Sequence, residues 1–249
     1  LWEDTRHQQG ATIIQRCINQ MSIMPRTVQL DAPMAAGKST AIDWLATQTK
    51  RPGTWHPATT ITKKENLGAF QKELMLPKDT PNKPLLVQQA VLKARHTIPA
   101  DCALAILERG PASSLAFLLA DRTRGVISET QFTECVNMVA KIGWLPKAHI
   151  FIVETVDTCM LRVKHRGQPG DNHITRAYMI HVHKAHATLA SILHEYAKRT
   201  QQISVWHVHN DEHNQAGATP HWCNAIDDCI RHLTNTATKA HTPPAAAMQ

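Results

Sequence analysis

Aromatic side chains are scarce in this chain, at 5% of 249 residues, which leaves few platforms on which the bases of a nucleic acid could stack. Runs of Lys and Arg are missing too, so there is no basic arm to track a phosphate backbone. No apolar run approaches the roughly 18 residues needed to cross a bilayer; the longest, residues 103–107 and 115–120, are core-sized. The six cysteines, at 17, 102, 135, 159, 223 and 229, contain no C-x-x-C pair. A chain this long needs no disulfide framework, so they read as reduced thiols of an intracellular protein. These absences argue against a membrane protein, a disulfide-stapled secreted domain and a direct nucleic-acid binder. The opening Trp2-Glu3-Asp4 lacks the charged-then-apolar pattern of a signal peptide, while a first residue of Leu1 rather than Met leaves room for an upstream segment.

What is present belongs to a globular protein: 43% hydrophobic and 19% charged residues. The net charge of +7 and pI near 9.2 favour an anionic partner, and with nucleic acid set back a nucleotide leads. Short β-prone runs at residues 27–30, 54–55, 102–107, 149–153 and 203–208 alternate with helical patterns at 39–49, 85–96, 112–120, 129–141, 156–165, 175–199 and 219–233. Such alternation predicts an α/β fold, a parallel five-stranded sheet flanked by helices on both faces, with ligands at the carboxyl ends of the strands. Residues 1–26 read as an N-terminal extension and 27–235 as one domain. Residues 77–84 and 166–173 are loops rich in Pro or Gly, and 236–249, rich in Thr, Ala and Pro, reads as a disordered tail.

The segment Ala32-Pro33-Met34-Ala35-Ala36-Gly37-Lys38-Ser39 lies between the first β-prone run and a helical pattern. A loop that binds phosphate turns its backbone N–H groups inward, which requires residues without bulk; Ala35, Ala36 and Gly37 meet that demand. Lys38 can reach the β/γ-phosphates, Ser39 can ligate Mg²⁺, and the helix that follows directs its positive end at the anion. Ala32 stands where the usual motif has its first glycine, and it is costly if the backbone there needs positive φ. The competing reading is an ordinary strand-to-helix turn.

At this point a family resemblance appears. Leu30-Asp31-Ala32-Pro33 followed by Gly37-Lys38-Ser39-Thr40 resembles the L-D-G-P…G-K-[ST]-T loop of herpesvirus thymidine kinases, and Ala35-Ala36-Gly37-Lys38-Ser39-Thr40 is similar to cellular deoxynucleoside kinases. Leu107-Glu108-Arg109-Gly110-Pro111 resembles the family's acidic-Arg motif at the end of the third strand. The segment from Leu161 to Asp171, with Arg162, Lys164, Arg166 and Gln168, is similar to its Arg-rich lid, near residues 162–173. Val205-Trp206-His207-Val208-His209-Asn210-Asp211-Glu212 resembles the last strand and the adenine-contacting loop. The match spans about residues 27 to 215, and its closest style is that of the viral thymidine kinases.

The resemblance implies a P-loop kinase that moves the γ-phosphate of ATP to the 5′-hydroxyl of thymidine or a related deoxynucleoside. It further implies Mg²⁺, a homodimer and a viral source. Residues 32–40 (Ala32, Pro33, Met34, Ala35, Ala36, Gly37, Lys38, Ser39 and Thr40) and Asp211 would bind ATP. Ser39 and Glu108 would hold the metal, and Lys38, Arg109, Arg162 and Arg166 would neutralise the transferred group. From the residues alone, Arg162, Lys164 and Arg166 also fit a solvated helix face. His56, in Trp55-His56-Pro57, falls 18 residues after Lys38, where the family has a catalytic Glu; a neutral imidazole is a competent general base. Glu65 is the fallback. Gln88 matches the glutamine that hydrogen-bonds the base, with Gln89 as competitor, Arg95 matches the arginine two helical turns on, and Ser113 and Ser114 stand where a polar group helps set base specificity. Asp171 would approach the sugar 3′-hydroxyl. A nucleoside monophosphate kinase is one alternative, kept open by Arg95; a degenerate nucleotide-binding homologue is another, supported by Ala32, His56 and Gln168.

His181, His183, His186, His207 and His209 have neither cysteine nor carboxylate beside them at zinc spacing, and read as surface or packing residues. Met138, Trp144 and the Leu115–Leu119 stripe read as core.

Overall fold

A computed structural model describes residues 2–48, 60–61, 83–87, 89, 104–167, 171, 174–210 and 221–239. In chain order the elements are α1 (Trp2–Gln20), β1 (Ser22–Asp31), α2 (Lys38–Gln48), β2 (Thr60–Ile61), β3 (Ala105–Glu108), α3 (Ser113–Thr123), α4 (Glu129–Ile142), β4 (Trp144–Val153), α5 (Val156–Arg166), α6 (Arg176–Thr200), β5 (Ser204–His209) and α7 (His221–Lys239). A short helical stretch also covers residues 83–87. The described strands form one sheet in the order β2-β3-β1-β4-β5 with every pair parallel. Four of them have at least four residues, and β2, at the edge, has two. The sheet of parallel strands between helical layers is thus the expected architecture.

Period-two alternation sends neighbouring residues to opposite faces. On β1 and β4, Val28, Leu30, Ala148, Ile150 and Ile152 join a buried cluster with Ile42, Leu45, Val163, Ile226 and Ile230, which places α2, α5 and α7 on that face. Leu145 and Phe151 belong to a second cluster with Leu115, Leu119, Phe132, Val136, Leu189 and Leu193, the layer of α3, α4 and α6. Each fully buried aliphatic or Phe side chain removes enough apolar surface to contribute about 1.5–3 kcal/mol. Thr27, Gln29 and Asp31 are buried on this second side, and His149 is the register partner of Gln29. A polar row is thereby built into the sheet face beneath α3 and α6.

Helix ends follow local chemistry. Ser128 and Gln131 form a capping box at the start of α4, and Thr155 and Thr175 accept from the N–H groups of Thr158 and Tyr178 at the starts of α5 and α6. Gly167 ends α5 at φ 55, a left-handed turn that glycine adopts without a Cβ penalty.

Three differences from the sequence reading stand out. The first 26 residues, expected as an extension, contain α1, whose Ile14, Cys17 and Ile18 are buried with α3 and α4. β1 begins at Ser22 rather than 27, because its register shifts between Met24 and Val28. Pro25 lacks an N–H for the ladder and Arg26 takes φ 60, making a bulge that hides the strand in the sequence. Finally α7 continues to Lys239, so residues 236–239 are helical rather than part of a disordered tail.

Candidate active site

The residues that converge stand at the carboxyl ends of β1 and β3 and the start of α2. Parallel pairing brings Leu30 beside Glu108, and the N–H of Arg109 donates to the carbonyl of Leu30 at 3.0 Å. The phosphate loop, residues 32–39, therefore begins next to the Glu108-Arg109 pair. Positive φ occurs at Ala35 (58) and Gly37 (102), and Ala32 is not among the positive-φ residues. The conformational cost expected at Ala32 is carried by Ala35 instead, about 1–2 kcal/mol for a residue with a Cβ. Gly37 is the position where glycine is required: besides its φ, a Cβ there would press on Asn210 and Trp222.

Lys38, 5% exposed, folds back over the loop and donates from Nζ to the carbonyls of Pro33 at 2.7 Å and Ala32 at 3.1 Å. Arg109 Nη2 reaches the same Ala32 oxygen at 3.3 Å. Its guanidinium lies 4.5 Å from the centre of the Phe117 ring, a cation–π contact that fixes its plane. Arg109 itself has φ 68, strain of the kind retained at functional sites. Ser39 Oγ donates to Glu108 Oε1 at 3.2 Å, while Glu108 Oε2 is buried with no hydrogen-bond partner among the described residues. A hydroxyl and a buried carboxylate oxygen side by side form an oxygen donor set that suits a hard divalent cation. Residues 32–37 form the turn and 38–40 open α2, with Ala36 and Pro33 buried, Met34 packed against both core clusters and Thr40 exposed.

Beneath the loop lies a network the sequence reading did not assemble. Asp31, fully buried, accepts from the Ala32 N–H at 3.0 Å, from Gln29 Nε2 at 3.0 Å and from Ser113 Oγ at 2.9 Å. His186 Nε2, on α6, stands 3.5 Å from its other side, while His186 Nδ1 donates to the Val182 carbonyl at 2.8 Å. Burial alone would raise the Asp31 carboxyl; hydrogen bonding and charge from His186, the Arg109 guanidinium and the Ser113 hydroxyl outweigh it and hold it well below the usual carboxylate range. The Ala32 peptide is consequently gripped at both ends, its N–H by Asp31 and its carbonyl by Lys38 and Arg109. His186 is a site-supporting residue rather than plain packing. Ser113 carries the hydroxyl of the network; Ser114, one residue on, is buried and its N–H donates to the Pro111 carbonyl. His149 has both ring nitrogens buried without a partner among the described residues, and burial pushes it down to about 4, with Asp31 opposing.

The lid helix α5 approaches from the β4 side. Arg162 Nη1 pairs with Glu154 Oε2 at 2.9 Å and reaches the Ala35 carbonyl at 3.5 Å. Arg166 is held by Asp171 through two bonds, Nε to Oδ2 at 2.7 Å and Nη2 to Oδ1 at 2.6 Å. The two residues expected in separate roles, phosphate cation and sugar contact, are thus partners. Asn210, at the end of β5, donates from Nδ2 to the Ala36 carbonyl at 3.0 Å. Its place in the adenine-loop segment was the available signal. His56, Gln88, Arg95, Gln168 and Asp211 lie outside the described residues.

Among the described residues, Cys17, Cys135, Cys159, Cys223 and Cys229 are free thiols. Burial pushes Cys17 up to about 12 and Cys135 and Cys159 to about 11, which keeps these three protonated at neutral pH. No described helix is long and apolar enough to cross a membrane.

Structures of deoxyadenosine kinase from M. mycoides share this fold. The one with products dCMP and a flexible dCDP bound is 17% identical over 84% of this chain and 99% of its own, with a TM-score of 0.56. Those with dATP and with dCTP bound, 15% and 17% identical, each cover 83% of this chain and 99% of their own, at TM-scores of 0.55 and 0.57. No curated protein sequence matches the chain. The sequence model of the deoxynucleoside kinase family matches residues 28–227, a span that runs from β1 through the loop, the Glu108-Arg109 pair and the lid into α7, and the chain belongs to that family.

Proposed function

We propose that the chain transfers the γ-phosphate of ATP to the 5′-hydroxyl of a deoxynucleoside, with thymidine as the leading acceptor. The observation that carries this reading is the convergence of Lys38, Arg109 and the Ser39–Glu108 pair around one loop at the carboxyl ends of β1 and β3. The loop N–H groups and Lys38 bind the phosphates, and Arg109 faces the same loop from β3. Ser39 and Glu108 would hold Mg²⁺, which would supply neutralisation of the charge that develops on the transferred phosphate. The O5′–P bond forms as the bond from the γ-phosphorus to the bridging oxygen breaks, leaving ADP. His56 is proposed as the base that accepts the hydroxyl proton, and Gln88, with Arg95, as the holder of the nucleobase. Asp211 is proposed beside the adenine.

The preference for thymidine rests on the likeness of the loop and lid to those of viral thymidine kinases, as do the proposed viral source and homodimer; the proposed intracellular setting rests on the cysteine pattern. The M. mycoides enzyme is named for deoxyadenosine, so all four deoxynucleosides belong in the test. Incubation with labelled ATP and a panel of deoxynucleosides and their monophosphates is expected to give labelled thymidine monophosphate as the main product. Labelling of monophosphates alone would replace this reading with a nucleoside monophosphate kinase. Nucleotide binding without turnover would replace it with a degenerate homologue. Sedimentation of the purified chain tests the dimer.

A further inference from the structure

We propose that Glu154 is a positioning residue for the phosphoryl transfer, acting through Arg162; the inference rests on the kinase reading above. Glu154 directly follows the end of β4, one of the central strands of the sheet, and its side chain is only 5% exposed. Oε1 accepts a hydrogen bond from the Thr155 N–H at 2.8 Å, and Oε2, buried and without a hydrogen bond among the described residues, forms an ion pair with Arg162 Nη1 at 2.9 Å. A carboxylate fastened on one side to the backbone at a strand end is a rigid mount, unlike a surface ion pair that rearranges freely.

The direction of that mount matters. Arg162 Nη1 is also 3.5 Å from the carbonyl of Ala35, the loop residue held at positive φ, so Glu154 parks the guanidinium at the lip of the phosphate loop. The next carbonyl, that of Ala36, is taken by Asn210. Two consecutive loop carbonyls are therefore engaged by side chains from outside the loop, an arrangement that favours inward N–H groups. The contacts to Glu154 and Ala35 use Nη1 alone, and Nη2 and Nε make no hydrogen bond or ion pair among the described residues. A guanidinium gripped at one nitrogen keeps the rest of its fork for an anion. This distinguishes a positioning role from a brake, which would occupy the fork from both sides as Asp171 occupies Arg166.

A four-protein cycle tests this: wild type, Glu154→Gln, Arg162→Ala and the double variant, each assayed for kcat, KM for ATP and thermal midpoint. Glu154→Gln is expected to lower kcat by about tenfold to a hundredfold, up to the scale of a misplacement of about 1 Å, with a small effect on the midpoint. Arg162→Ala is expected to cost more, and Glu154→Gln to add nothing in its background. An unchanged or raised kcat for Glu154→Gln would overturn the proposal. So would an equal proportional loss in both backgrounds, the mark of a merely structural role. Glu154→Asp, which keeps the charge on a shorter arm, is expected to recover part of the rate. If the wild type moves no phosphate to any nucleoside, the functional reading fails by itself. The same four proteins titrated with a fluorescent ATP analogue then decide Glu154, by whether its effect on affinity vanishes without Arg162.

Discussion

The positive charge around the phosphate loop comes in two sets that are held differently. Lys38 and Arg109 are anchored by backbone carbonyls of the loop itself, at Ala32 and Pro33, so their positions are part of the fold. Arg162 and Arg166 sit on α5 and are held by carboxylates, Glu154 and Asp171. Backbone anchoring gives a preorganised site that costs no rearrangement at the moment of reaction. Carboxylate anchoring neutralises the cation until something more attractive arrives, which suits a segment that exchanges partners during a cycle. Within the lid set the gradation continues, since Glu154 is mounted at a strand end whereas Asp171 lies five residues from its arginine.

Breaking the fixed set is expected to hurt most. Lys38→Ala removes the loop's own cation and is expected to lower kcat by about a thousandfold or more; a variant at the wild-type rate in the phosphotransfer assay would take the loop out of the mechanism. Arg109→Lys keeps the charge but loses the planar fork and its stacking on Phe117, and a fall of about a hundredfold is expected in the same assay. The fixed side is also expected to be the acid-sensitive side. His149, buried beside Gln29, is pushed by burial to about 4, whereas an unfolded chain takes up that proton below about 6.5. The stability it contributes is complete above about pH 6.5 and is lost as pH falls towards 4, by about 2 kcal/mol between pH 6.5 and 5. His149→Phe is expected to flatten that slope in urea titrations run at several pH values; an unchanged slope would mean the ring finds a partner when protonated. The smallest effect belongs to the lid. Asp171→Asn frees Arg166 from a surface pair and is expected to shift stability by less than about 1 kcal/mol and kcat by less than about tenfold. A loss as large as that of Lys38→Ala would erase the distinction between the sets.

The phosphate loop was legible because its signal is local: small residues, Lys38 and Ser39 in sequence, between a β-prone run and a helical pattern. Helices α2 to α7 were legible from apolar periodicity, β3 and β5 from short apolar runs, and β4 only from its second half, since residues 144–148, with Pro146 and Lys147 among them, were not read as strand. What escaped was either interrupted or distant. β1 lost its first half to the bulge at Pro25 and Arg26. In α1 the spacing of Ala11, Ile14, Cys17 and Ile18 carries the core-facing stripe, diluted by charged and amide residues around it. Asp31 and His186 are ordinary residues in sequence and become neighbours only when α6 packs on the sheet over β1, while Glu154 and Arg162 pair only through the angle at which α5 leaves the end of β4. The missing first glycine was a misplaced concern, because the left-handed turn falls at Ala35. The acceptor side, His56, Gln88 and Arg95, was read from resemblance and stands as a proposal.

The helix that precedes the family match has a practical consequence for anyone preparing the protein. A chain cut to begin at residue 28, where the match begins, would keep every residue of the phosphate loop yet lose Ile14, Cys17, Ile18 and Met21, together with the first half of β1. The faces of α3 and α4 that those side chains cover would be left as a bare apolar strip, the kind of surface that drives self-association. Boundaries drawn by sequence similarity would cut through the core here, and soluble material calls for keeping residues 2–27.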